Sequence, residues 1–166
     1  MDTATSKIPT PGFLSLLKNP VHLLAFGFGS GLSPKAPGTV GTVMAVLLYL
    51  PMAHLPLPIY LSMILVTALL GCYLCGKAAK DLGVHDHPGI VWDEYVGFWL
   101  TMTAIPATWP WIAAGFVLFR IFDIAKPWPI GWCDKRVSGG VGIMVDDLLA
   151  GVYSWLILFS VYQFTG

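Results

Sequence analysis

Ala36–Gly76 reads APGTVGTVMAVLLYLPMAHLPLPIYLSMILVTALLGCYLCG, 41 residues without a formally charged side chain. A membrane-spanning helix needs about 20 consecutive apolar residues. The run is therefore long enough for two spans, and Pro51, Pro56 and Pro58 gather near its middle, where a turn is required. Outward from it lie two further uncharged stretches, 95–119 and 148–166. The last fits one span. The middle one carries Pro106 and Pro110 near its centre, so each arm of a hairpin has only about 11 uncharged residues, or about 16 Å of helix. Those arms reach span length only if their helices continue through Asp93 and Glu94 on one side and Arg120 and Asp123 on the other.

Composition agrees with this pattern. The chain is 56% hydrophobic and 11% charged, with a mean hydropathy of +0.73, whereas soluble domains carry about 25% charged residues. The net charge of zero gives no electrostatic footprint for nucleic acid. Cys72 and Cys75 sit in an apolar run without polar partners and read as small packing residues rather than a redox or zinc pair.

An up-and-down path across ~40–54, 57–76, ~91–105, 111–125 and 148–165 puts every Lys, Arg, Asp and Glu on the starting side, as the positive-inside tendency prefers. The expected fold is all-α: an integral membrane helical bundle of about four to five membrane-embedded helices with a short middle hairpin. It forms one domain over 1–166, with residues 1–19 a flexible N-terminal segment lacking the apolar core of a signal peptide.

Ionisable groups at membrane depth are costly and must pair or serve a function. Asp86, Asp93, Glu94, Asp123, Asp146 and Asp147 have only Arg120 and Lys126 as evident neutralising partners. Interhelical ion pairing would account for some of them; a bound divalent cation would resolve the excess.

Four clusters carry chemistry. SPKAPGTVGT (33–42) sets Gly38, Thr39 and Gly41 before an apolar helix. Free backbone N–H groups there suit a phosphate, though an ordinary N-cap and tight turn read equally well. DLGVHDHPGIVWDEYVG (81–97) gathers His85, Asp86, His87, Asp93 and Glu94; oxygen-rich ligands suit Mg²⁺, and His85 or Asp86 can move a proton. FRIFDIAKPWPI (119–130) spaces Arg120, Asp123 and Lys126 along one helix that ends before Pro127, giving a carboxylate between two phosphate-holding cations or a plain salt bridge. SGGVGIMVDDLLAG (138–151) reads as a flexible glycine loop after which Asp146 and Asp147 open the last helix.

These four motifs, between about His22 and Gly151, resemble the phosphatidylglycerophosphatase A family. The resemblance implies Mg²⁺-dependent removal of the terminal phosphate of phosphatidylglycerophosphate, among membrane lipids, on the cytoplasmic face of a bacterial inner membrane. On that reading Asp93, Glu94, Asp123, Asp146 and Asp147 are metal-ligand candidates. Thr39, Arg120 and Lys126 bind the phosphate, and His85 and Asp86 are catalytic candidates for proton transfer. Phosphocysteine chemistry is excluded, because no cysteine is followed by arginine at the required spacing. The rival class is a small membrane transporter or ion-conducting protein using the acids as a pathway.

Overall fold

The computed structural model describes residues 10–165. Residues 1–9, half of the segment expected to be flexible, lie outside the described residues; within its remainder α1 (Phe13–Leu17) forms a single helical turn. Next come α2 (Pro20–Ala25), a 3₁₀ segment (Gly27–Leu32), α3 (Pro37–Met52), α4 (Leu57–Leu82), α5 (Trp92–Thr101), α6 (Trp109–Ala125), α7 (Ile130–Arg136) and α8 (Gly139–Thr165). There is no strand among the described residues. The protein is an all-α bundle whose middle hairpin is α5–α6, as its sequence predicts.

Proline and glycine set most boundaries. Pro37 opens α3, where its fixed φ suits the first turn and its missing N–H costs nothing. α4 has Pro58 in its first turn and closes on Gly83 at φ 68°, with the Val84 N–H returning to the Ala79 carbonyl at 3.1 Å. α6 begins with Pro110 in its first turn and stops at Lys126, directly before Pro127.

α5 is shorter than the predicted 91–105 arm. Its 10 residues reach about 15 Å, half of a hydrocarbon layer about 30 Å thick. A half-length helix is tolerated at membrane depth when protein surrounds it. α5 packs against α3, α4, α6 and α8, and nine of its ten residues are buried. Aromatic side chains tie it in place through backbone carbonyls: the Trp92 indole donates to Thr67 of α4 at 3.1 Å, the Trp99 indole to Ala45 of α3 at 3.0 Å, and the Tyr95 hydroxyl to Gly27 at 2.9 Å. Each indole or phenol thereby keeps its polar atom satisfied while its ring fills the core.

The expectation of a glycine loop before the last helix is corrected. α8 starts at Gly139, so Asp146 and Asp147 lie two turns inside it, beyond the reach of its N-terminal dipole. The physical reason is close packing. A Cβ on Gly140 would stand 1.8 Å from the Cys72 carbonyl and 2.6 Å from the Gly76 nitrogen of α4. The glycine lets two backbones touch, as small residues do between membrane helices. Cys72 and Cys75 are free thiols on this seam, and Cys75 is buried.

α4 and α8 are long and apolar enough to cross a membrane. In α4 only 22% of the most apolar window is buried, whereas the core helix of a soluble protein is mostly buried. Leu61, Leu65, Val66, Leu69 and Leu70 of α4 face outward, as do Val43 and Leu47 of α3, Val117 and Ile121 of α6, and Ile157 and Val161 of α8. Apolar surface of this extent on an otherwise packed bundle is consistent with a helical membrane protein.

Gly140→Ala should lower the thermal unfolding midpoint in detergent, with a cost of about 1–3 kcal/mol or more for overpacking against a backbone. Gly12→Ala, whose added Cβ meets nothing within 4 Å, should leave the midpoint unchanged.

Candidate active site at the acidic end of the bundle

The antiparallel path brings the starts of α3, α5 and α8 and the ends of α4 and α6 to one end of the bundle. A cleft of about 110 Å³ opens there, between the loop after α4, α5, the end of α6, α7 and α8. Asp93 and Glu94 reach it from α5, Asp123 and Lys126 from the end of α6, Asp134 from α7, and Asp146 and Asp147 from α8; His85, Asp86 and His87 reach it from the loop. All five sequence-predicted metal candidates thus meet in one cleft although they come from three helices. His85 and Asp86, predicted to move a proton, stand at its open rim.

The two cations are committed to carboxylates. Arg120 Nη1 lies 3.0 Å from Glu94 Oε2 and is also paired with Asp123. Lys126 Nζ donates to Asp134 Oδ1 at 3.0 Å and Asp146 Oδ2 at 2.9 Å. The Thr42 hydroxyl approaches the Glu94 carboxylate at 2.8 Å and the Gly38 carbonyl at 3.0 Å. Gly38 leaves room for this pair: a Cβ there would fall 2.2 Å from Glu94 Oε1 and 3.1 Å from the Arg120 guanidinium. The glycine-rich turn therefore seats an ion pair against the first turn of α3. Thr39 does not reach the cleft; it is half-buried in that turn.

After this pairing, acid remains in excess. Asp93 Oδ1, Asp146 Oδ1 and Asp147 Oδ2 are buried without a hydrogen-bond partner. Buried carboxylate oxygens are expensive unless a proton or a cation satisfies them. Among the described residues no three His, Cys, Asp or Glu side chains stand in a ready-made metal-binding arrangement. The donor set nonetheless fits a hard, oxygen-seeking cation such as Mg²⁺, which keeps several waters and needs only one or two carboxylates. At the rim, crowding by the cleft walls raises the Asp86 carboxyl above its ordinary range, against the opposing pull of Lys126, even though much of the residue surface is open.

Two residues of the cleft, His87 and Asp134, and Thr42 against Glu94 have roles that sequence reasoning left unassigned. Thr42 could have been found as the hydroxyl one helical turn beyond Gly38. His87 was one of the histidines in the HDH triplet, and Asp134 one charge in the CDKR run. No local pattern marks Asp134 as the partner of Lys126, because that pairing depends on how α7 folds back.

Arg120→Met should destabilise the fold by about 3–5 kcal/mol, since it strands Glu94 and Asp123 without their cation. Adding Glu94→Gln should recover part of that loss. Thermal melts of the single and double variants in detergent check both expectations.

The family model for phosphatidylglycerophosphatase A matches residues 23–162. Phosphatidylglycerophosphatase A of Escherichia coli (strain K12) is 53% identical over 146 residues, covering 87% of this chain and 85% of the relative. That of Haemophilus influenzae is 50% identical over 153 residues, covering 89% and 91%. A Bacteroides thetaiotaomicron protein provisionally named a phosphatidylinositol-3-phosphatase is 39% identical over 158 residues, covering 89% and 93%. No solved structure matches the chain.

Proposed function

The chain belongs to the phosphatidylglycerophosphatase A family, and from that premise we propose that it hydrolyses the terminal phosphate of phosphatidylglycerophosphate, with Mg²⁺, to give phosphatidylglycerol and phosphate. One observation carries the reading beyond the family: uncommitted carboxylate oxygens of Asp93, Asp146 and Asp147 share a cleft with Arg120-paired and Lys126-paired acids, at one end of an apolar bundle. That is where a lipid headgroup would sit while its tails stay in the bilayer.

Asp93, Asp146 and Asp147 would hold the ion, and Glu94 and Asp123 stand beside them on Arg120. When bound, Mg²⁺ supplies charge neutralisation at the phosphoryl oxygens and a more acidic bound water. The protein's own groups do the rest. Lys126 lines the cleft and is held between Asp134 and Asp146, so it is already oriented where phosphoryl charge must be balanced, while Arg120, outside the lining, fixes Glu94 and Asp123 beside it. Asp86 has a raised affinity for its proton and stands at the cleft mouth, which suits protonation of the departing glycerol oxygen. His85, also at the rim, can then pass a proton from solvent back to Asp86.

The bundle end that holds the cleft is also where Lys35, Lys77, Lys80, Lys135 and Arg136 flank the helices. By the positive-inside tendency this is the cytoplasmic end, and the membrane would be the bacterial inner membrane. A reporter fused after Gly166 should then read as non-cytoplasmic.

Purified protein given phosphatidylglycerophosphate should release phosphate with Mg²⁺ and stop when the ion is chelated. Asp123→Asn and Asp147→Asn should each abolish release, by about 10²-fold or more for a lost charge in a preorganised site, while still inserting in membranes. Full activity in both variants would remove the acidic cleft from the mechanism. Mg²⁺ should also raise the thermal midpoint of the wild type, as a ligand that binds only the native state does, and should not raise it in Asp147→Asn. Phosphatidylinositol 3-phosphate, offered in parallel, reads out headgroup selectivity.

A further inference from the structure

The turn His87–Pro88–Gly89–Ile90 forms one wall of the cleft. It is closed by the Ile90 N–H, which donates to the His87 carbonyl at 2.8 Å. The turn is locked from behind, because Gly31 packs so tightly that a Cβ on it would stand 1.9 Å from the Gly89 carbonyl oxygen. The Phe26 ring lies tilted against the imidazole, with centroids 5.3 Å apart. The imidazole therefore has little freedom to turn, and His87 is 2% exposed.

One hydrogen bond determines its tautomer. The Gly89 backbone N–H donates to His87 Nδ1 at 2.9 Å. A backbone N–H can only donate, so Nδ1 carries no proton and the neutral ring holds its proton on Nε2. Burial also lowers the imidazole pKa, which keeps the ring neutral. Nε2 is buried and has no partner. A buried donor left unpaired forfeits its hydration without compensation.

The rest of the cleft explains what such a donor is for. Lys126 and the Arg120 Nη1 group already serve carboxylates. Among the described residues, the buried side-chain donors without a partner are His87 Nε2, Arg120 Nε and the Thr103 hydroxyl, and of the three residues His87 alone lines the cleft. A phosphoryl group brings only acceptor oxygens to the cleft. Taking the phosphatase reading as its basis, we propose that His87 is a catalytic residue that donates its Nε2–H to a non-bridging oxygen of the bound phosphoryl group. It acts as a neutral hydrogen-bond donor, so no proton leaves the ring.

Two substitutions separate this role from a purely structural one. His87→Asn keeps an acceptor near the Nδ1 position, so the turn survives, but loses the distal donor. His87→Gln keeps an amide donor near the Nε2 position and loses the acceptor for Gly89. Phosphate release by His87→Asn should fall about 10²–10³-fold in kcat, the loss expected for one preorganised donor, with KM and thermal midpoint little changed. His87→Gln should retain more activity than His87→Asn despite the weakened turn. Undiminished release by His87→Asn overturns the assignment.

A wild-type measurement covers the case in which both variants misfold. With ¹⁵N-labelled histidine, the His87 ring should show the Nε2–H tautomer, and its Nε2 resonance should move on adding inorganic phosphate with Mg²⁺. An Nδ1–H tautomer, or an Nε2 signal unmoved at saturating phosphate, overturns the proposal whatever the variants do. Absence of phosphate release from the wild type would overturn the phosphatase reading and this role with it. Release from wild type and His87→Asn alike would overturn this role alone.

Discussion

Seven carboxylates line the cleft at one end of this bundle against a single lysine, Lys126, and the imbalance governs the structure around it. Asp93, Glu94, Asp123, Asp146 and Asp147 face a cleft lined also by Lys126, and Arg120, outside that lining, pairs with Glu94 and Asp123. Charges withdrawn from water require partners. Arg120 satisfies Glu94 and Asp123, and Lys126 satisfies Asp134 and one oxygen of Asp146. What remains is a set of acceptor oxygens that packing holds together against their mutual repulsion.

The helices that bring those acids together are secured by uncharged contacts. α5 is anchored by aromatic hydrogen bonds to α3, α4 and the 3₁₀ segment. α8 is anchored by backbone contact with α4 at Gly140. The contacts that fix these helices and the charges they carry thus rest on different groups. An enzyme that must hold repelling carboxylates near a phosphate gains from this division, because rigid neighbours supply the preorganisation that the charged groups cannot supply themselves.

Much of this was legible along the chain. The uncharged runs and their proline interruptions gave the number and order of the long helices, because lipid-exposed segments must be apolar for a fixed length. The clustering of acids near a single end followed from the same map. Misreadings arose where a residue type serves more than one purpose. Gly139, Gly140 and Gly142 read as a loop, yet in the fold Gly140 allows a helix crossing. Gly38 and Thr39 read as a phosphate turn, yet Gly38 makes room for an ion pair and Thr42, one turn on, provides the hydroxyl.

The sequence by itself determined the all-helical, membrane-type bundle, the short middle hairpin and the set of acidic side chains available for chemistry. These follow from composition and one-dimensional spacing, which the hydrocarbon layer reads directly. Only the tertiary structure decided which acid meets which base. It paired Lys126 with Asp134 and Asp146, left Asp93 and Asp147 with uncommitted oxygens, and turned the His87 ring so that Nδ1 receives the Gly89 N–H. Such pairings depend on distances of about 3 Å between groups far apart in the chain, and no periodicity encodes them. The opening count of acids against bases is therefore a property of the sequence, and its division into paired and free oxygens is a property of the fold.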